Sequence, residues 1–137
     1  MAKVYGIIFA HADLPQAYKK VLESIFGKVS DFAFLSNAGL SAAEMKRRLR
    51  SKLSRIKNEK VIIFVDVEGG SCSQVCLALK EDFKDIVVIA GLNLPILFKF
   101  LQYRDRVDFS TLLSRLLTAG KNGIKIIDWK RLSTSGI

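Results

Sequence analysis

The chain has 137 residues, half of them hydrophobic, with a formal net charge of +9 and a single histidine. That length suits one domain and that apolar share suits a packed core, which excludes a disordered or low-complexity chain. No apolar stretch approaches the ~20 residues of a membrane helix, and Met1-Ala2-Lys3-Val4 runs straight into a strand-like segment without a signal-peptide pattern, so a cytoplasmic protein is expected.

Apolar runs alternate with amphipathic stretches along the whole chain. Lys3–Phe9 is β-branched and aromatic and reads as a strand. Leu14, Ala17, Tyr18, Val21, Leu22 and Ile25 recur at helical spacing, and Gly27 stops that helix at Phe26. Val29–Leu35 reads as a second strand. Ser41, with Glu44 three residues on, forms a capping box for a basic helix. Its cations are Lys46, Arg47, Arg48, Arg50, Lys52, Arg55, Lys57 and Lys60, and its apolar stripe is Met45, Leu49, Leu53 and Ile56. No aromatics interleave with these charges, so the face from Arg47 to Lys57 is expected to be solvated and not a nucleic-acid surface. Lys60–Val65 is a near-continuous apolar strand followed by Glu68-Gly69-Gly70. Ser71–Phe83 reads as a helix, Asp85–Ala90 as a strand, and Asn93–Tyr103 as a helix with Pro95 in its first turn. Asp108 caps a last helix to Ala119, ended by Gly120, and Ile124–Asp128 reads as a short final strand.

Strands that are unbroken apolar runs are buried on both faces, as in parallel sheets. The alternation of strand and helix implies right-handed crossovers and an α/β, doubly wound sheet in the order 2-1-3-4. No repeat or linker divides it, so residues 1–137 read as one domain, with a core of about 3–128 and a tail beyond.

Ligands of such sheets sit beyond the carboxyl ends of the strands, at the switch point of strand order. His11 follows the first strand and Asp66 the third; Gly69, Gly70 and Ser71 then open a helix. A carboxylate beside an imidazole fixes its tautomer and leaves the other ring nitrogen as a nucleophile. Two glycines let backbone amides approach an anion at a helix N-terminus. The set suits transient transfer of a phosphoryl group onto histidine. Each part has a blander reading: a hydrogen-bonded structural histidine, a loop carboxylate, a glycine turn between strand and helix. Their convergence at the ends of adjacent strands is what favours a site. Cys72 and Cys76, spaced Cys-x3-Cys, match neither a redox nor a zinc motif and read as buried residues one helical turn apart.

The blocks "IIFAHADLPQAYKKVLESIFG", "VIIFVDVEGGSCSQVCLAL", "IVVIAGLNLPILFKFL" and "LLTAGKNGIKII" resemble the mannose-type enzyme IIA of the bacterial sugar phosphotransferase system, in order and over nearly the whole chain. The resemblance implies a phosphohistidine carrier, a homodimer that exchanges its C-terminal strand, a phosphoryl donor in the phosphocarrier HPr and an acceptor in enzyme IIB. It implies no cofactor and no metal. His11 matches the family's phosphorylated histidine and Asp66 the aspartate that orients it, while Ala12, Gly69, Gly70 and Ser71 fall where the phosphoryl oxygens are held. The chain departs from the family pattern at Ala10, Ala12, Glu68 and Cys72. The alternatives are a non-catalytic regulatory module of the same fold, a receiver domain phosphorylated on Asp66, and a metal site of His11, Asp66 and Cys72. A receiver lacks support, because Ala10-His11-Ala12-Asp13 offers no acidic pair for magnesium.

Overall fold

The structure, a computed structural model, describes residues 3–127. Four strands, β1 (Tyr5–Ala10), β2 (Phe32–Ser36), β3 (Val61–Val65) and β4 (Ile86–Ala90), form one parallel sheet in the order β2-β1-β3-β4. Five helices connect and cover them: α1 (Leu14–Phe26), α2 (Ala42–Arg55), α3 (Ser71–Leu79), α4 (Leu94–Tyr103) and α5 (Phe109–Asn122). This is the expected α/β architecture and strand order. Among the described residues no helix is long and apolar enough to cross a membrane.

The alternation of side chains along β1 and β3 divides the core in two. Ile7, Phe9, Ile63 and Val65 face α2 and α3, packing on Met45, Leu49, Leu53, Val75 and Leu79. Ile8, Ala10, Ile62 and Phe64 face the other way, onto Leu22 of α1, Leu97 and Phe100 of α4, and Leu112 and Leu116 of α5. Every residue of β3 is buried, which is why its sequence is a continuous apolar run. Each fully buried Leu, Ile or Phe contributes about 1.5–3 kcal/mol, so the two central strands are the most firmly held part of the sheet, and the site hangs from their ends.

Local signals set most boundaries. The Ser41 hydroxyl accepts from the Glu44 amide and the Glu44 carboxylate from the Ser41 amide, completing the capping box of α2. These bonds hold the Glu44 carboxyl below its ordinary value. The Asn93 side chain accepts from the Ile96 amide and so caps α4.

Three expectations are corrected. The third helix stops at Leu79 rather than Phe83, because the amides of Asp82 and Phe83 both fold back onto the Leu79 carbonyl. Gly120 lies inside α5 and does not end it: a Cβ there would stand 3.4 Å from Ile96, and its carbonyl accepts from the Asn93 carboxamide at 2.9 Å, so packing against α4 carries the helix on to Asn122. In the single chain residues 124–127 pair with no strand of the sheet, and Asp128 lies outside the described residues. On the basic helix, Arg50 and Lys52 are half-buried. Arg50 pairs with Asp82 at 2.8 Å and Lys52 lies over the Tyr5 ring, while Arg47, Arg48, Arg55 and Lys57 are exposed. In the apolar stripe Met45, Leu49 and Leu53 are buried and Ile56 is partly buried.

Candidate functional site

β1 and β3 are neighbours whose ladder ends with Phe9 opposite Val65. The next residues therefore leave the sheet side by side, and two groups 55 positions apart in sequence meet. His11 Nδ1 lies 2.8 Å from Asp66 Oδ2. The same oxygen accepts from the His11 backbone amide at 3.1 Å, and Asp66 Oδ1 accepts from the Val67 amide at 3.0 Å. A carboxylate only accepts, so three neighbours that can all donate match its valence when the ring proton sits on Nδ1.

The environment separates the two groups. The Asp66 side chain is 16% exposed and that of His11 40% exposed. Burial pushes the Asp66 carboxyl up, but the hydrogen bonds from the His11 amide and ring, together with the ring's charge, outweigh it and hold the group below its ordinary value of 3.8. The carboxylate is thus ionised, with the ring nitrogen not bonded to it left for chemistry.

The turn after β3 closes the other side of the ring. Gly69 has φ of +80°, which a glycine adopts without strain. Gly70 is there for space: a Cβ would stand 3.2 Å from His11 Cε1 and 3.1 Å from the Val67 side chain. α3 begins directly afterwards at Ser71, with Gly70 as an N-cap that has no side chain to satisfy the helix's opening amides. Those amides have no intrahelical partner, and the helix dipole favours an anion in front of them. Ser71 is exposed.

Cys72 and Cys76 are buried. Burial, with the charge of Asp66 nearby, pushes the Cys72 thiol up to about 11, and burial beside Cys72 pushes Cys76 up to about 12. They are protonated packing residues at neutral pH, not nucleophiles. Among the described residues no three His, Cys, Asp or Glu side chains come together as a metal-binding group.

Of the residues that sequence reasoning selects, His11, Asp66, Gly70 and the start of α3 at Ser71 converge, and Gly69 shapes their turn. Ala12 is different. It stands at φ of +53°, and its amide is already bonded to Asn37 Oδ1 at 3.1 Å. Two residues that sequence reasoning passes over meet it there, Ser36 and Asn37, at the end of β2. Both are common turn formers whose side chains bond nearby backbone, and that was the only trace of them in the sequence.

The chain is similar to known proteins over most of its length. The EIIA-man family model, described as the PTS system fructose IIA component, matches residues 6–117. The fructose-specific EIIA component of Bacillus subtilis is 26% identical over 124 residues, covering 88% of this chain and 84% of that protein. The mannose-specific EIIAB component of Escherichia coli K12 is 25% identical over 127 residues, 90% of this chain, which spans only 39% of that protein. Among solved structures, phosphotransferase system component EIIA from Streptococcus agalactiae superposes with a TM-score of 0.82 at 25% identity, over 93% of this chain and 98% of that one. The mannose/sorbose-specific IIA subunit from Enterococcus faecalis has a TM-score of 0.79 at 20% identity, over 92% and 96% of the two chains, and shares the fold.

Proposed function

The chain belongs to the EIIA-man family of the sugar phosphotransferase system, and on that premise we propose that it is a phosphohistidine carrier, taking a phosphoryl group from HPr onto His11 Nε2 and passing it to an enzyme IIB. The observation that carries this reading is the 2.8 Å contact between His11 Nδ1 and Asp66 Oδ2. With the proton on Nδ1, the lone pair of Nε2 attacks phosphorus. The P–N bond to the donor histidine breaks, its electron pair returns to the donor imidazole, and a new P–N bond forms on His11. The Nδ1–H becomes a stronger donor as the ring loses electron density, and Asp66 stabilises that change. The oxygens of the phosphoryl group face the glycine turn and the opening amides of α3. Fixing the ring supplies orientation that a free imidazole lacks.

The same reading makes the protein a cytoplasmic homodimer completed through residues 124–128. Ile124, Ile126 and Ile127 are 80%, 85% and 82% exposed in the single chain, as a strand awaiting a second copy would be. A non-catalytic module is the competing reading, favoured by the Ala12 amide being already engaged by Asn37.

The test is the mass of the protein after incubation with phosphoenolpyruvate, enzyme I and HPr. One phosphoryl group should be gained, labile to acid, stable to alkali, and absent from His11→Ala. No uptake from the HPr of its own organism would sink the carrier reading and leave the regulatory module.

A further inference from the structure

We infer that Asn37 is a positioning residue for His11: its carboxamide, with the Ser36 hydroxyl, holds the His11–Ala12 peptide in the conformation from which the imidazole reaches Asp66. The inference rests on the reading of His11 as the phosphoryl acceptor.

Ala12 stands at φ of +53°, a conformation disfavoured for an L-residue by a factor of about 5–30 in population. The Leu14 amide of α1, bonded to the His11 carbonyl at 3.2 Å, closes the turn on one side. The end of β2 braces it on the other. Ser36 Oγ donates to the Ala12 carbonyl at 2.6 Å, and Asn37 Oδ1 accepts from the Ala12 amide at 3.1 Å. The brace is itself anchored. The Asn37 amide donates to the Ala10 carbonyl at 3.2 Å, and the Ala38 amide donates to Ser36 Oγ at 3.0 Å, which aims that hydroxyl's proton at Ala12.

The Ala12 amide and the His11 carbonyl share one peptide plane. Asn37 grips one edge of that plane and the Leu14 amide grips the other, at 3.2 Å from the His11 carbonyl. Gripping both edges fixes the ψ of His11, and with it the line from backbone to ring. The two bonds to Asp66 then complete the placement. The same geometry accounts for Ala12 at the site: it is the strained joint that the brace serves, and its amide is spent on Asn37 rather than offered to a phosphoryl oxygen.

The variants are Asn37→Ala, Ala12→Gly, the two combined, and Asn37→Asp. Two readouts are needed: single-turnover uptake of phosphate from phosphorylated HPr, and the ¹⁵N–¹H imidazole spectrum, which shows one residue because the chain has one histidine. Asn37→Ala should slow uptake about tenfold and broaden or shift the Nδ1–H signal. In the Ala12→Gly background the same substitution should cost only about twofold, since glycine takes positive φ readily. Asn37→Asp keeps an acceptor and should restore both readouts. An Asn37→Ala protein with an unchanged ring signal overturns the inference, as does a loss of equal size in the parent and Ala12→Gly backgrounds. If the parent protein takes up no phosphate, the acceptor reading fails, and the ring spectrum alone then decides whether Asn37 positions the imidazole.

Discussion

Substituting Asp66 should produce a graded loss of phosphoryl uptake, with asparagine intermediate between aspartate and alanine. The carboxylate makes three contacts: His11 Nδ1 at 2.8 Å and the His11 amide at 3.1 Å on one oxygen, and the Val67 amide at 3.0 Å on the other. A hydrogen bond to a charged group has a net worth of about 1.5–3 kcal/mol. Losing the one to the ring therefore slows uptake roughly 10- to 100-fold in Asp66→Ala. Asparagine can keep its carbonyl oxygen toward the ring and the His11 amide, but its NH₂ cannot accept from the Val67 amide, so that bond is lost. At the ring only the charge assistance is then lost, and charge-assisted bonds are roughly twice as strong as neutral ones, so the slowing is about tenfold or less.

Asp66→Asn should remain folded, because it keeps the bonds to the ring and the His11 amide and loses about 1–3 kcal/mol against a typical domain stability of about 5–15 kcal/mol; Asp66→Ala, which loses all three bonds, should be the less stable of the two. The pH dependence has a definite sign. The Asp66 carboxyl is held below its ordinary 3.8 in the fold, so its stabilising contribution is complete above that value and is lost as pH falls through the lower folded value. The stability gap between parent and Asp66→Asn should be constant near neutrality and shrink in acid. Single-turnover transfer and chemical denaturation over a pH series measure both effects. Uptake in Asp66→Ala at the parent rate, or a gap that widens in acid, would refute the reasoning.

Other residues give further checks. A Cβ at Gly6 would stand 2.7 Å from ring carbons of both Phe32 and Phe100, so Gly6→Ala should destabilise by about 1–3 kcal/mol in urea unfolding. Arg104 is buried and donates to the carbonyls of Ser30 and Asp31 at 2.6 and 2.9 Å; Arg104→Ala should cost about 2–3 kcal/mol in thermal unfolding and leave phosphoryl uptake unchanged. With the thiols of Cys72 and Cys76 pushed up to about 11 and 12, labelling by a thiol reagent at about pH 8 should track unfolding and not direct attack. Reversing the charges of the exposed Arg47 and Arg48 should leave melting temperature and phosphoryl uptake alone, whereas salt-sensitive nucleic-acid binding abolished by the reversal would make that face a binding surface.

Local chemistry wrote most of the fold into the sequence. A short, β-branched apolar run such as Val61–Val65, followed by a glycine turn, reads as a strand covered on both faces, and a capping box at Ser41 and Glu44 or a proline in the first turn of α4 needs only a few neighbouring residues to act. Those signals, in alternation, imply a parallel sheet with its site beyond the strand ends, and that was enough to single out His11, Asp66 and the glycine turn. Tertiary structure decided whatever depends on which segments become neighbours. His11 and Asp66 meet because β1 and β3 pair in one register. Ser36 and Asn37 join the site because β2 flanks β1 from the opposite side. Gly120 continues α5, against its own propensity, because Ile96 and Asn93 of a different segment lie against it. Propensity and periodicity act over a turn or two of chain, whereas these contacts are fixed by strand order and packing, which no short window of residues contains.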